Sequence, residues 1–165
     1  MSTPVKTLRE LITLAAGFME AKGVPDAHTV SELLIARLYS SNRSGLYKYL
    51  DQTPSERVVE AMRRGMRRVI DGEPVQYVIG EWDFRLLTLK TDRRALIPRP
   101  ETEQLVELVL KSELAKRTKP LVVDVGTGSG CIILSLAKEM RDGVFVGLDV
   151  SPDALALACE NAKFT

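Results

Sequence analysis

Cysteine and histidine are scarce in this sequence, and their scarcity removes whole classes of function. The 165 residues hold only two cysteines, Cys131 and Cys159, and these form no Cys-x-x-Cys pair. A disulfide framework and a redox dithiol are thereby excluded, and both thiols are expected to be reduced and structural. His28 is the single histidine, so a mixed Cys/His metal centre lacks ligands and no metal is expected. An excess of one charge is also missing, because 23 Lys plus Arg face 22 Asp plus Glu. A net charge of +1 creates no field to gather a polyanion, so direct nucleic-acid binding and adhesion to a membrane surface are not expected. No apolar run approaches the roughly 20 residues that cross a bilayer. Met1–Leu8 lacks the basic-then-apolar plan of a signal peptide, and a cytoplasmic location is expected. There is no internal repeat and no low-complexity tract.

What is present is ordinary core material, with 45% hydrophobic and 27% charged residues. The length suits one domain, or a small domain and part of a larger one. From Thr3 to Lys22, Val5, Leu8, Leu11, Ile12, Ala15, Phe18 and Met19 recur at helical spacing between Pro4 and Gly23. A second helix is expected after Pro25–Asp26, a short turn around Leu46–Leu50, and a third helix capped by Thr53 and running from Pro54 to the Gly72–Pro74 break. Residues 1–72 thus read as an all-α bundle. Arg63, Arg64, Arg67 and Arg68 charge its last helix, which reads as a solvated face or, alternatively, a surface for docking a partner.

Residues 73–165 read differently. Gln76 to Lys90 is rich in Tyr, Val, Ile, Trp, Phe and Thr around Gly80–Asp83, the composition of a β-hairpin. Pro98 and Pro100 frame an elbow before a helix with Leu105, Val106, Leu108, Val109 and Leu114 on its stripe. Leu121–Val125 and Val144–Val150 are apolar strands of the kind buried on both faces, joined through a Gly-rich turn and a helix. That is a βαβ unit, with the right-handed crossover such units adopt. Pro152–Thr165 reads as a further helix. Two parallel strands cannot complete a doubly covered sheet, so the chain is expected to be part of a longer protein and, alone, to cover its apolar faces by self-association, exchange of elements or disorder.

The chemistry-bearing run is Val122-Val123-Asp124-Val125-Gly126-Thr127-Gly128-Ser129-Gly130-Cys131. Glycines suit a sharp strand-to-helix turn that a ligand must approach closely, and the helix terminus beyond it favours an anionic group. Asp149 ends the next strand, where a carboxylate can accept hydrogen bonds from both ribose hydroxyls. A dinucleotide site would need G-x-G-x-x-G, but Cys131 occupies the last of those positions. The pattern instead suits S-adenosylmethionine, whose methionine carboxylate can take the helix terminus. A turn that merely joins strand to helix is the plain alternative.

Three segments in order, Pro74-Val75-Gln76-Tyr77-Val78-Ile79-Gly80-Glu81-Trp82-Asp83-Phe84, Leu96-Ile97-Pro98-Arg99-Pro100-Glu101-Thr102-Glu103, and Asp124–Gly130, resemble the HemK/PrmC family of protein-(glutamine-N5) methyltransferases. The resemblance implies an N-terminal helical substrate-recognition domain and the first part of an α/β Rossmann-like class I methyltransferase domain dependent on S-adenosylmethionine. It implies methylation of the glutamine amide in the Gly-Gly-Gln motif of peptide chain release factors. It further implies that Gly126, Thr127, Gly128, Ser129 and Gly130 line the methionine end of the cofactor and that Asp149 holds the ribose. Phe84, Pro98, Arg99 and Pro100 would lie along the pocket. The family's Asn-Pro-Pro-Tyr motif, which holds the target amide, does not occur in these residues, so no catalytic residue is assigned and this length of chain is expected to be inactive alone. Alternative readings are an amino-methyltransferase acting on nucleic-acid adenine or another protein, and a non-catalytic module whose bundle binds a partner.

Overall fold

The computed structural model describes residues 6–140 and 142–165. It separates into two compact units, Met1–Ile79 and Gly80–Thr165.

In the first unit α1 (Leu8–Glu20) starts at Thr7, whose hydroxyl accepts from the Glu10 N–H at 3.2 Å. Thr3, Pro4 and Val5, expected at the head of this helix, lie outside the described residues. Leu8, Leu11, Ile12, Ala15 and Met19 bury one face against Val30, Leu34 and Ile35 of α2 (Ala27–Leu38). A short 3-10 turn at Ser44–Lys48 contributes Leu46 to the same core. The next helix, α3 (Glu56–Ile70), is capped by Ser55, which accepts from the Val58 N–H at 3.4 Å. Thr53 is not the cap: its hydroxyl donates to the Lys6 carbonyl at 2.9 Å, so a long-range bond takes the group that local spacing assigned to the helix. Gly65 lets α3 approach α2, since a Cβ there would stand 3.0 Å from a Leu34 methyl.

The hairpin expected from Gln76 onward begins later. Val75–Ile79 is a short helix, α4, whose Val75, Val78 and Ile79 pack on the bundle core. Its terminal carbonyls are capped by arginines, the Ile79 carbonyl accepting from Arg37 Nε at 3.0 Å and those of Tyr77 and Val78 from Arg68 at 3.4 Å. Gly80, at φ +77°, ends this helix and is not the hairpin's turn.

The second unit opens with the hairpin β1 (Glu81–Phe84) and β2 (Leu87–Lys90), whose turn is Arg85–Leu86. α5 (Pro100–Lys111) takes Pro100 in its first turn, where a missing N–H costs nothing; Leu114 lies beyond its end. β3 (Leu121–Val125), α6 (Cys131–Met140) and β4 (Val144–Leu148) form the β-α-β unit, with β3 and β4 parallel and Leu121 opposite Val144. α7 (Pro152–Phe164) follows, capped by Ser151. The core joins Phe84, Leu87, Leu89, Val106 and Leu136 with Val122 and Phe145 of the parallel strands. The two strands are not buried on both faces as expected: Leu121, Val123 and Val125 are 64%, 48% and 81% exposed. Alternation along β3 turns Val122 toward α6, and no described element lies over the opposite face. No helix among the described residues is long and apolar enough to cross a membrane.

Candidate cofactor cradle

The Gly-rich turn takes its shape from backbone conformation. Gly126, Gly128 and Gly130 all have positive φ, at +82°, +55° and +82°, which a side chain at those positions would oppose. The intervening Thr127 and Ser129 are buried. Leu148 at the end of β4 accepts from the N–H groups of Gly126 and Thr127 at 2.7 and 2.9 Å, and Thr127 accepts from Gly130 at 2.8 Å. The Thr127 hydroxyl donates to Asp124 at 2.8 Å. Gly147 leaves room for that threonine, since a Cβ on it would come within 2.9 Å of the hydroxyl oxygen. A strand end, a turn and the first turn of α6 thus form one fixed bend, with open space above Gly126, where a Cβ would meet nothing within 4 Å.

Asp149 lies at this bend. Its carboxylate accepts from the Gly128 N–H at 2.8 Å with one oxygen and from the Ser151 N–H at 2.9 Å with the other. These backbone donors, Ser151 first and then Gly128, hold its pKa below the usual carboxylate value. The carboxylate retains acceptor capacity for a further donor. Cys131, which opens α6 beside the turn, has its thiol pushed up, chiefly by burial.

The remaining sequence-expected residues divide. Ala95 approaches Gly128, with 3.9 Å between its Cβ and the position a Cβ on the glycine would take, so the segment leading into the Pro98–Pro100 elbow runs beside the turn. Pro98 is buried, while Arg99 and Pro100 are exposed at the start of α5. Phe84, at the last position of β1, is 1% exposed in a core cluster with Leu87, Leu89, Val106 and Leu136, against which Cys131 also packs.

Sequence reasoning missed the groups that fasten these segments. Arg94 pairs with Asp92 at 2.8 Å and with Glu160 of α7 at 2.7 Å. Asn161, next to Glu160, is wholly buried and hydrogen-bonds both β2 and the glycine turn. The signal for Asn161 was available: a polar residue on the buried stripe of Ala154 and Leu157. Nothing local marked Arg94.

Comparison with known proteins places this geometry in context. Residues 10–80 match the family model described as the PrmC N-terminal domain, and residues 118–164 match one described as a methyltransferase domain. Over these residues the chain is similar to a PrmC N-terminal domain and to a methyltransferase domain. The human protein named MTRF1L release factor glutamine methyltransferase is 36% identical over 93% of this chain and 48% of its own length. A release factor glutamine methyltransferase of Rhodopirellula baltica is 34% identical over 95% of the chain and 54% of its own. One of Streptococcus pneumoniae is 54% identical over 55% of the chain and 32% of its own. The chain spans about half the length of the first two. With the PrmC-type match over the helical unit and the methyltransferase match over β3–α7, the two structural units correspond to two differently described sequence regions.

Proposed function

We propose that these residues supply the helical unit and the cofactor-binding part of an S-adenosylmethionine-dependent enzyme that methylates the Gly-Gly-Gln glutamine amide of peptide chain release factors. The observation that carries the reading is the bend of three positive-φ glycines fastened to Asp149, in a chain whose relatives bear that activity in their names. The fold read here is the opening of a Rossmann-like class I methyltransferase domain. The parallel β3–α6–β4 unit with the ligand-binding turn at the carboxyl end of its first strand supports it.

The residues fit the cofactor in charge and in space. Gly126, Thr127, Gly128, Ser129 and Gly130 leave the main chain open to a carboxylate at the head of α6, where the helix terminus carries partial positive charge. Asp149 supplies acceptor oxygens suited to two vicinal hydroxyls. The Pro98–Pro100 elbow bounds the approach beside Gly128, with Arg99 at the exposed entrance to α5. S-adenosylmethionine, when bound, supplies an electrophilic methyl on a sulfonium. A glutamine amide nitrogen is a weak nucleophile because its lone pair is delocalised, so the acceptor must be held in line by donors and acceptors. This chain's share of the work is to fix the cofactor, with the bundle offering a surface for the release factor. A cytoplasmic location agrees with a substrate that acts in translation.

The test is methyl transfer from labelled S-adenosylmethionine by the full-length polypeptide that carries these residues, offered a release factor, RNA and DNA. Label confined to the Gly-Gly-Gln glutamine, and lost when that glutamine is replaced by alanine, is the expected result. Label on adenine would favour the nucleic-acid reading, and no transfer to any acceptor would favour a binding module.

A further inference from the structure

Asn161 is a costly residue to bury. It is 0% exposed in the last turn of α7, on the stripe that otherwise presents Ala154 and Leu157. A buried amide is destabilising unless its donors and acceptor are all met, and asparagine is a poor helix former besides. Here every group is met. The side-chain oxygen accepts from the Lys90 N–H at 2.8 Å, and the side-chain nitrogen donates to the Lys90 carbonyl at 3.2 Å and to the Ser129 carbonyl at 2.9 Å. One acceptor and two donors in a plane is the asparagine amide's own inventory. Leucine would fill the volume and leave three main-chain groups unpaired. Aspartate would turn a lone pair toward two carbonyls.

The Ser129 bond has a particular consequence. The Ser129 carbonyl and the Gly130 N–H belong to one planar peptide unit. Asn161 holds the oxygen at one end of that plane while Thr127 accepts from the nitrogen at the other, at 2.8 Å. The last peptide of the glycine turn is therefore pinned at both ends, in front of α6. The same amide grips the outer edge of β2, and from β2 the chain leads through Asp92 and Arg94 to Ala95, the residue beside Gly128. The Arg94–Glu160 pair ties that segment to the neighbouring position on α7.

We propose that Asn161 is a positioning residue, which sets the orientation of the glycine turn and its separation from the 92–95 segment so that the turn is ready for the cofactor. The inference rests on the reading of that turn as the S-adenosylmethionine cradle. Asn161 acts through Ser129 and Lys90 and touches no substrate.

The experiment uses the full-length polypeptide. Asn161→Asp and Asn161→Ala should raise the calorimetric Kd and the KM for S-adenosylmethionine by roughly tenfold or more, the scale expected for a lost buried hydrogen-bond set. At saturating cofactor kcat should stay within about twofold and the KM for the release factor should not move, because only uniform cofactor binding is lost. In the unmodified protein, hydrogen exchange at the Lys90 amide should slow on adding S-adenosylmethionine, together with the amides of 126–130. A folded Asn161→Asp variant with wild-type Kd overturns the proposal, as does a Lys90 amide indifferent to the cofactor. Should both variants fail to fold, the exchange result alone decides. Gly128→Val separates the two claims: if it abolishes binding while Asn161→Asp does not, the cradle stands and the role of Asn161 falls. If Gly128→Val binds normally, both fall.

Discussion

The carboxylate of Asp149 serves the turn before it can serve a ligand, since its two oxygens already hold Gly128 and Ser151. Replacing it with alanine removes any bond to a ribose and also releases the glycine turn, so Asp149→Ala should weaken S-adenosylmethionine binding by more than tenfold, the ordinary scale of one charge-assisted bond. Asp149→Asn keeps an acceptor but brings an N–H₂ toward a backbone donor, and should fall between the two. Calorimetry on the full-length polypeptide checks both, and unchanged affinity would remove Asp149 from the site. The pH dependence has a definite sign. Because its folded pKa is lowered, the stabilisation from ionised Asp149 is complete above the unfolded value of about 3.9 and is lost only as pH falls through the lower folded value. Affinity should therefore show no titration from this group between pH 5 and 8. The sequence made the position of Asp149 legible, directly after an apolar strand that follows the glycine turn. It could not show that backbone donors occupy the carboxylate, a matter of where β4 ends and α7 begins.

Among the elements, the hairpin depends most on a single side chain. Arg85 occupies its turn at φ +51°, a conformation unfavourable to any residue with a Cβ. Its compensation lies in its surroundings. The Arg85 N–H donates to Glu103, and the guanidinium reaches Glu139 at 2.7 and 2.8 Å, Glu107 at 3.1 Å and the Glu103 carbonyl at 3.2 Å, with the side chain only 15% exposed. One arginine so joins the β1–β2 turn to α5 and α6. Arg85→Ala should destabilise the second unit by about 2–3 kcal/mol, the range for hydrogen bonds to charged partners left partly unpaired. Trp82, the single tryptophan, lies in β1 and reports this unit's urea transition by fluorescence. A midpoint that does not move would show that the ion pairs are incidental. Element types were largely readable from period and punctuation: α1, α2, α3, α5, α6, β3, β4 and α7 all lie where hydrophobic spacing put them. The 76–90 segment was not. Its β-branched and aromatic content suits either a strand or a helix face, and the choice of helix for Val75–Ile79 comes from packing on α2 and α3 and from arginines that arrive from elsewhere in the bundle. Gly80 punctuates either way, so its presence could not tell a helix end from a hairpin turn.

At the scale of the molecule, the sharp contrast is between a bundle that covers its own core and a sheet with one bare side. Leu121, Val123 and Val125 share that side with Val144 and Leu148, each about half exposed or more. The 165-residue chain by itself should associate with rising concentration, and Val123→Lys with Val125→Lys should suppress this at little cost to folding because both valines are already exposed. Sedimentation velocity distinguishes the outcomes, and a wild-type chain that stays monomeric throughout would refute the expectation. A change of period near residue 73 was legible in the sequence, whereas the compact units divide between Ile79 and Gly80. That Val75–Ile79 packs with the bundle was not legible, since it depends on contacts with residues far back in the chain. Sequence distance also has a bearing on time. The bundle's core is drawn from residues no later than Ile79, so it can form on the ribosome while later residues are still being translated. The glycine turn has no such independence: the amide that pins Ser129 arrives 32 residues later, and the bond that joins it to the hairpin spans 71. A nascent chain carrying the complete Gly126–Gly130 motif but not yet Asn161 therefore lacks the bond that pins the last peptide of the turn, and that bond can form only when α7 emerges.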